Sequence, residues 1–262
     1  MPSSRQYAKI RSSIMQTAPQ AFAANHSWDR TFFLAFTAIA WIAIVMGFGP
    51  ELKGHLTGKV PYPPLIVHFH ALIFGGWLIL FTAQVSLIRS GHAHIHRKLG
   101  FVAAALVPIM VVLGVATTLV SRRVHFEAGQ NDMLGFMIVP LTDMLLFPSL
   151  AIPALLFRKD PATHKRLILL ATASLLPAAF GRWIGPWILA YFGDGFFGLM
   201  VQAYLGSNGM ILAAMAYDQV TRGRIHAVYL IAVPWILAVQ AITSAIYHWP
   251  GWLSMAQRMI GY

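Results

Sequence analysis

The side chains able to do chemistry in this sequence are few, and most are imidazoles. There are 11 histidines and no cysteine among 262 residues. Thiol nucleophiles, iron–sulfur clusters, disulfides and thiolate metal sites are thereby excluded. Imidazole without thiolate suits haem iron, copper or zinc. A bis-imidazole haem b takes one His from each of two facing helices, and His70 with His248 supplies such a pair. His68 and His125 extend this set toward a His-ligated transition metal, with His55 as a further donor. In His68-Phe69-His70 the two rings point about 200° apart on a regular helix. They serve one metal only if the segment unwinds, which Pro63-Pro64 just upstream allows. On a helix, His70 continues into Trp77, Phe81 and Gln84, a stripe that faces a bundle interior.

Asp143 and Arg182 stand out for a different reason. Each lies inside a long apolar run, where an ionisable group is expensive and marks a functional position by default. Together they neutralise one another, either as a structural interhelical ion pair or as the floor of a ligand cavity. Gln202, Asn208 and Gln240 come out at comparable depth at 1.5 Å of rise per residue. That coincidence points to an outward-facing polar cavity for a small anionic or amphipathic ligand. Arg182 could equally meet a cofactor's anionic group. A second histidine group, His92, His94, His96, His164 and His226, sits at the opposite helix ends. Membrane-surface anchoring and turn geometry account for it, with a loop metal site as the sharper alternative.

Other chemistries are absent by pattern. The chain has no Walker A sequence, no Gly-x-Ser-x-Gly, no paired carboxylates for glycoside hydrolysis and no di-iron hydroxylase spacing. The last apolar span holds no lysine for a retinal Schiff base. Whether the protein is an enzyme is left open by these residues.

The elements that must position these groups are membrane spans. Hydrophobic residues make up 58% of the chain and charged residues 10%, against about 25% charged in soluble domains. Mean hydropathy is +0.65. Windows of about 20 apolar residues fall at 31–49, 64–88, 99–121, 133–157, 167–192, 196–217 and 227–249. The expected fold is an all-α bundle of seven transmembrane helices, 31–249, after a cytoplasmic segment 1–30 and before a short extracytoplasmic tail 250–262. Residues 1–30 are too long and polar for a cleaved leader, so the first helix is read as uncleaved.

The formal charge of +11 follows topology rather than nucleic-acid binding. Thirteen basic residues would share the N-terminal side: Arg5, Lys9, Arg11, Arg30, Arg89, Arg97, Lys98, Arg158, Lys159, Lys165, Arg166, Arg222 and Arg224. Five fall on the other: Lys53, Lys59, Arg122, Arg123 and Arg258. The excess puts the N-terminus in the cytoplasm and the C-terminus outside a bacterial inner membrane. The connections also repeat. His96-Arg97-Lys98-Leu99 is echoed by His164-Lys165-Arg166-Leu167 and more loosely by Arg222-Gly223-Arg224-Ile225-His226. One leading helix followed by three parallel hairpins explains the spacing.

The run His70 … Gln84 … Arg89 … His96-Arg97-Lys98-Leu99-Gly100 resembles the DUF2306-like multi-pass membrane proteins of bacteria. The segment from His164-Lys165-Arg166-Leu167 to Gly181-Arg182-Trp183 is similar to the second block of that class. The resemblance implies a helical membrane bundle and carries no settled activity. A looser similarity to cytochrome b561-type bundles implies haem. Three functions remain open: a haem or metal protein in a redox role, a carrier or receptor for an anionic ligand, and an accessory subunit of a larger membrane complex or homo-oligomer.

Overall fold

The computed structural model describes residues 22–130 and 132–262. Among them there are helices and no strand. Six helices are long and apolar enough to cross a membrane: α1 (Asp29–Leu56), α2 (Leu65–Arg89), α3 (Ala93–Glu127), α5 (Ile138–Leu156), α9 (Phe196–Arg222) and α10 (Ala227–Tyr247). Short helices complete the chain: α4 (Asp132–Gly135), α6 (Pro161–Ala173), α7 (Pro177–Trp183), α8 (Gly185–Phe192) and α11 (Trp252–Met259). The chain is thus a multi-pass integral membrane protein. Many large apolar side chains, such as Leu72, Phe101 and Val112, face outward, as suits an acyl-chain surround.

The continuous fifth helix expected over 167–192 is instead three pieces. Proline has no N–H for the helical ladder and starts helices well at their first turn. Pro177 opens α7, and Gly185-Pro186 opens α8. The run 133–157 divides likewise, with Phe136-Met137 between α4 and α5. The tail 250–262 holds α11, whose Trp252 indole donates to the Gly135 carbonyl (2.8 Å) and packs this helix onto α4.

α7 is held between α1 and α9 by two close approaches. A Cβ on Gly47 would collide with the Ala179 carbonyl, and one on Gly206 with the Phe180 ring. α5 packs on α3, α6 and α10. Hydrogen bonds between side chains stitch further pairs: Trp41 Nε1 donates to Thr82 Oγ1 (3.0 Å) and Trp77 Nε1 to Thr172 Oγ1 (3.3 Å). The core these contacts enclose is dominated by Leu, Ala and Phe, with Phe147, Leu170 and Ala179 fully buried.

Candidate functional site

One end of the bundle carries a buried ionic network built by α1, α6 and α9. Asp160 caps α6, accepting from Ala162 N (3.0 Å) and Thr163 N (3.4 Å), with Pro161 at the first helical position. The cap sets the register that points Lys165 and Arg166 inward. Arg166 forms a two-pronged pair with Asp218, Nε to Oδ2 at 2.6 Å and Nη2 to Oδ1 at 2.5 Å. Arg222, one turn past Asp218, reaches Asp29 at 2.8 Å. Asp29 also takes Lys165 Nζ (2.7 Å) and the Tyr217 hydroxyl (2.7 Å). The Phe22 ring lies against Arg166, Arg222 and Arg224, while Lys165 and Arg222 donate to the Ala24 and Ala23 carbonyls. A void of about 10 Å³ remains beside Asp29, Lys165 and Asp218, room for about one water molecule. The pairing is saturated, so the network locks three helices and the chain entering α1.

In the sequence, Lys165, Arg166, Arg222 and Arg224 count only as topology signals, and Asp29 and Asp160 carry no expectation. The i, i+4 spacing of Asp218 and Arg222 was the available clue. Nothing local named Arg166 or Asp29 as partners.

The resemblance motif lies at the same end. The Gln84 amide, oriented so that both its ends are satisfied, donates to His96 Nδ1 (2.7 Å) and accepts from Gly100 N (3.2 Å). Arg89 donates to the Arg30 carbonyl (2.5 Å). His164 donates through Nδ1 to the Ala154 carbonyl (2.7 Å), and its ring stands 6.3 Å from that of His96. His226 caps α10 by accepting from Val228 N (3.1 Å). Burial lowers the His226 imidazole below its ordinary value, with Arg166 nearby adding to the shift. These side chains tie turns to helices.

At the opposite end, the Asp143–Arg182 ion pair does not form. Arg182 projects from the last turn of α7 and bonds Glu51 of α1 (3.3 Å), with its guanidinium over the Phe48 ring. Asp143 is buried in α5. The physical reason is the break at 174–176 before Pro177: it restarts the chain as α7 packed on α1 and leaves Arg182 half-exposed, bonded to Glu51.

Arg182 stands within electrostatic range of both His70 and Arg122. Arg122, on α3, is partly buried and has no hydrogen bond or ion pair among the described residues. His70 stacks on Phe74 at 3.9 Å, and its Nδ1 is buried without a partner. Thr117 Oγ1 on α3 is a second buried polar atom with no partner among the described residues. The sequence reading singled out His70 and Arg182 here but assigned Arg122 to an outer loop; helix α3 runs on to Glu127 and carries it.

The remaining predicted residues are dispersed. His68 is exposed on α2. His125 donates to the Ser121 carbonyl (2.6 Å), and His55 lies 3.8 Å from Glu51. Both ring nitrogens of His248 are taken, Nδ1 facing the Ser244 carbonyl and Nε2 the Asp194 carbonyl, each at 2.8 Å. No group of three or more His, Asp or Glu side chains able to hold a metal ion occurs among the described residues. Asn208 and Gln240 exchange two amide bonds of 2.9 Å, which satisfies both. Gln202 packs against Gly185 at the α7–α8 break. No family model, curated protein or solved structure matches this chain.

Proposed function

We propose that this protein binds a small or amphipathic anion at the outer face of a bacterial inner membrane, between Arg122, Arg182 and His70. The observation that carries this reading is the Arg122 guanidinium, without a hydrogen bond or ion pair among the described residues and within electrostatic range of Arg182. Two cations held near one another repel, and among the described residues the carboxylate bonded there is Glu51, on Arg182. A carboxylate or phosphate accepts guanidinium hydrogen bonds in a two-pronged geometry, and the His70 Nδ1 supplies a further polar group. This is the carrier or receptor reading with its site moved from Asp143 to Arg122.

The test is a titration of the purified full-length protein with acetate, inorganic phosphate and palmitate, read by calorimetry. At least one of them binds, and Arg122→Gln and Arg182→Gln each weaken it by about tenfold, or about 1.4 kcal/mol. Unchanged affinity in both variants, or no binding of any of the three, refutes the reading.

The same proposal places seven crossings in the membrane, with the N-terminus cytoplasmic. Supporting it, Lys165 of α6 meets Asp29 at the start of α1, while Arg182 of α7 meets Glu51 near the end of α1. α6, α7 and α8 together would then traverse the bilayer as a broken span, a form tolerated where neighbouring helices cover the freed backbone groups. The basic-residue asymmetry supplies the orientation. Because the chain has no cysteine, single cysteines report cleanly. A membrane-impermeant maleimide on intact cells should label Asp194→Cys and spare Lys159→Cys. Labelling of both, or of neither, removes the seventh crossing.

A further inference from the structure

Asp143 is a buried carboxyl with no assigned role. It sits in the first half of α5, 7% exposed, with no hydrogen bond or ion pair to any described residue. Of the six aspartates, Asp29 and Asp218 are neutralised by Arg and Lys and Asp160 caps a helix. Asp143 has no such role. An ionised carboxylate taken from water without a counter-ion costs several kcal/mol, so something must neutralise it.

The surroundings say what. The titratable group in electrostatic contact with Asp143 is the Tyr204 phenol on α9. No Lys, Arg or His from α3, α6, α9 or α10 shows such contact with it among the described residues. The Tyr204 hydroxyl lies beside Thr142 and Thr243. Thr243 donates to Thr142 at 2.8 Å. One residue on, Ser244 donates to the Phe196 carbonyl (2.7 Å) and its own carbonyl faces His248 at the end of α10. The Tyr204, Thr142 and Thr243 hydroxyls therefore cluster next to Asp143, whose chain neighbour is Thr142, and one residue from Ser244 on α10. A cation would need several oxygens in a shell, and no second carboxylate joins Asp143 in a metal-holding group among the described residues. A hydron needs only the carboxyl oxygen.

We propose that Asp143 is a proton-binding site inside the membrane, reached from the outer face through the Tyr204, Thr142 and Thr243 hydroxyls. The carboxylate takes up one hydron at a side-chain oxygen to give the neutral acid and releases the same hydron through these hydroxyls. This inference stands apart from the anion-binding reading and shares no residue with it.

Infrared spectroscopy of the full-length protein in lipid tests it, because a protonated carboxyl has a carbonyl stretch separate from the amide bands. Wild type near neutral pH should show this band, and it should shift in heavy water. Asp143→Asn should lack it. If that variant does not fold, aspartate labelled with carbon-13 at the side-chain carboxyl moves the band in wild type, which gives the same assignment. Tyr204→Phe should keep the band and slow its heavy-water shift at least about tenfold. Wild-type and Asp143→Asn spectra that superimpose would overturn the site. A missing band together with a rise in melting temperature on adding sodium would assign a cation in place of the hydron. An unchanged exchange rate in Tyr204→Phe would remove the path.

Discussion

Arg166 is a fully buried cation whose cost is offset by a single carboxylate, Asp218. Removing one partner of such a pair strands the other charge, at about 3–5 kcal/mol. Asp218→Ala should therefore lower the thermal unfolding midpoint in detergent sharply. Glu127→Gln, which breaks the solvent-exposed Arg123–Glu127 pair (2.9 Å), should leave the midpoint unchanged. Equal effects would show that the network contributes no more than a surface pair. Asp160 gives a pH-dependent counterpart. The Thr163 hydroxyl donates to its carboxylate (2.6 Å) and holds it below the ordinary carboxylate value. A carboxyl depressed in the folded state stabilises above its unfolded value, and that contribution fades as pH falls through the folded value. Asp160→Ala should cost about 1 kcal/mol near neutral pH, and the gap from wild type should close in acid. A gap that is constant with pH would place the effect elsewhere than the cap's charge.

At the scale of elements, the glycines divide into those that touch a neighbour and those that do not. Gly206 faces the Phe180 ring, whereas Gly209 on the same helix faces open space. Gly206→Ala should destabilise by about 1–3 kcal/mol through overpacking. Gly209→Ala should be neutral or slightly stabilising, since alanine is the better helix former. Equal melting curves for the two would contradict the close seating of α7 on α9. The division of 161–192 into α6, α7 and α8 was legible in Pro177 and Gly185-Pro186, the residues that open α7 and α8. A hydropathy window averages over such punctuation, which is why the span was read as continuous. The shift of Arg182 from Asp143 to Glu51 follows from the break before Pro177, because a helix that stops and restarts changes the direction of every side chain beyond it.

For the whole molecule, membrane character and the approximate location of most spans needed no tertiary information. Apolar runs of about 20 residues report burial in hydrocarbon wherever they pack, and six of them are continuous apolar helices. The alternation of basic and poorly charged connections was likewise a property of the chain alone. What only the tertiary structure decided was pairing. Arg166 with Asp218 spans 52 positions and Lys165 with Asp29 spans 136. Helical periodicity says which face a residue occupies but not which other helix comes to meet it. The same holds for His248, whose ring faces the Asp194 carbonyl 54 positions away, and for Arg122, which lies within electrostatic range of Arg182 from another helix. An Asp in an apolar run announces a cost in sequence. Whether a cation from another helix meets that cost, as at Asp218, or none does, as at Asp143, depends on distances that exist only once the bundle has closed.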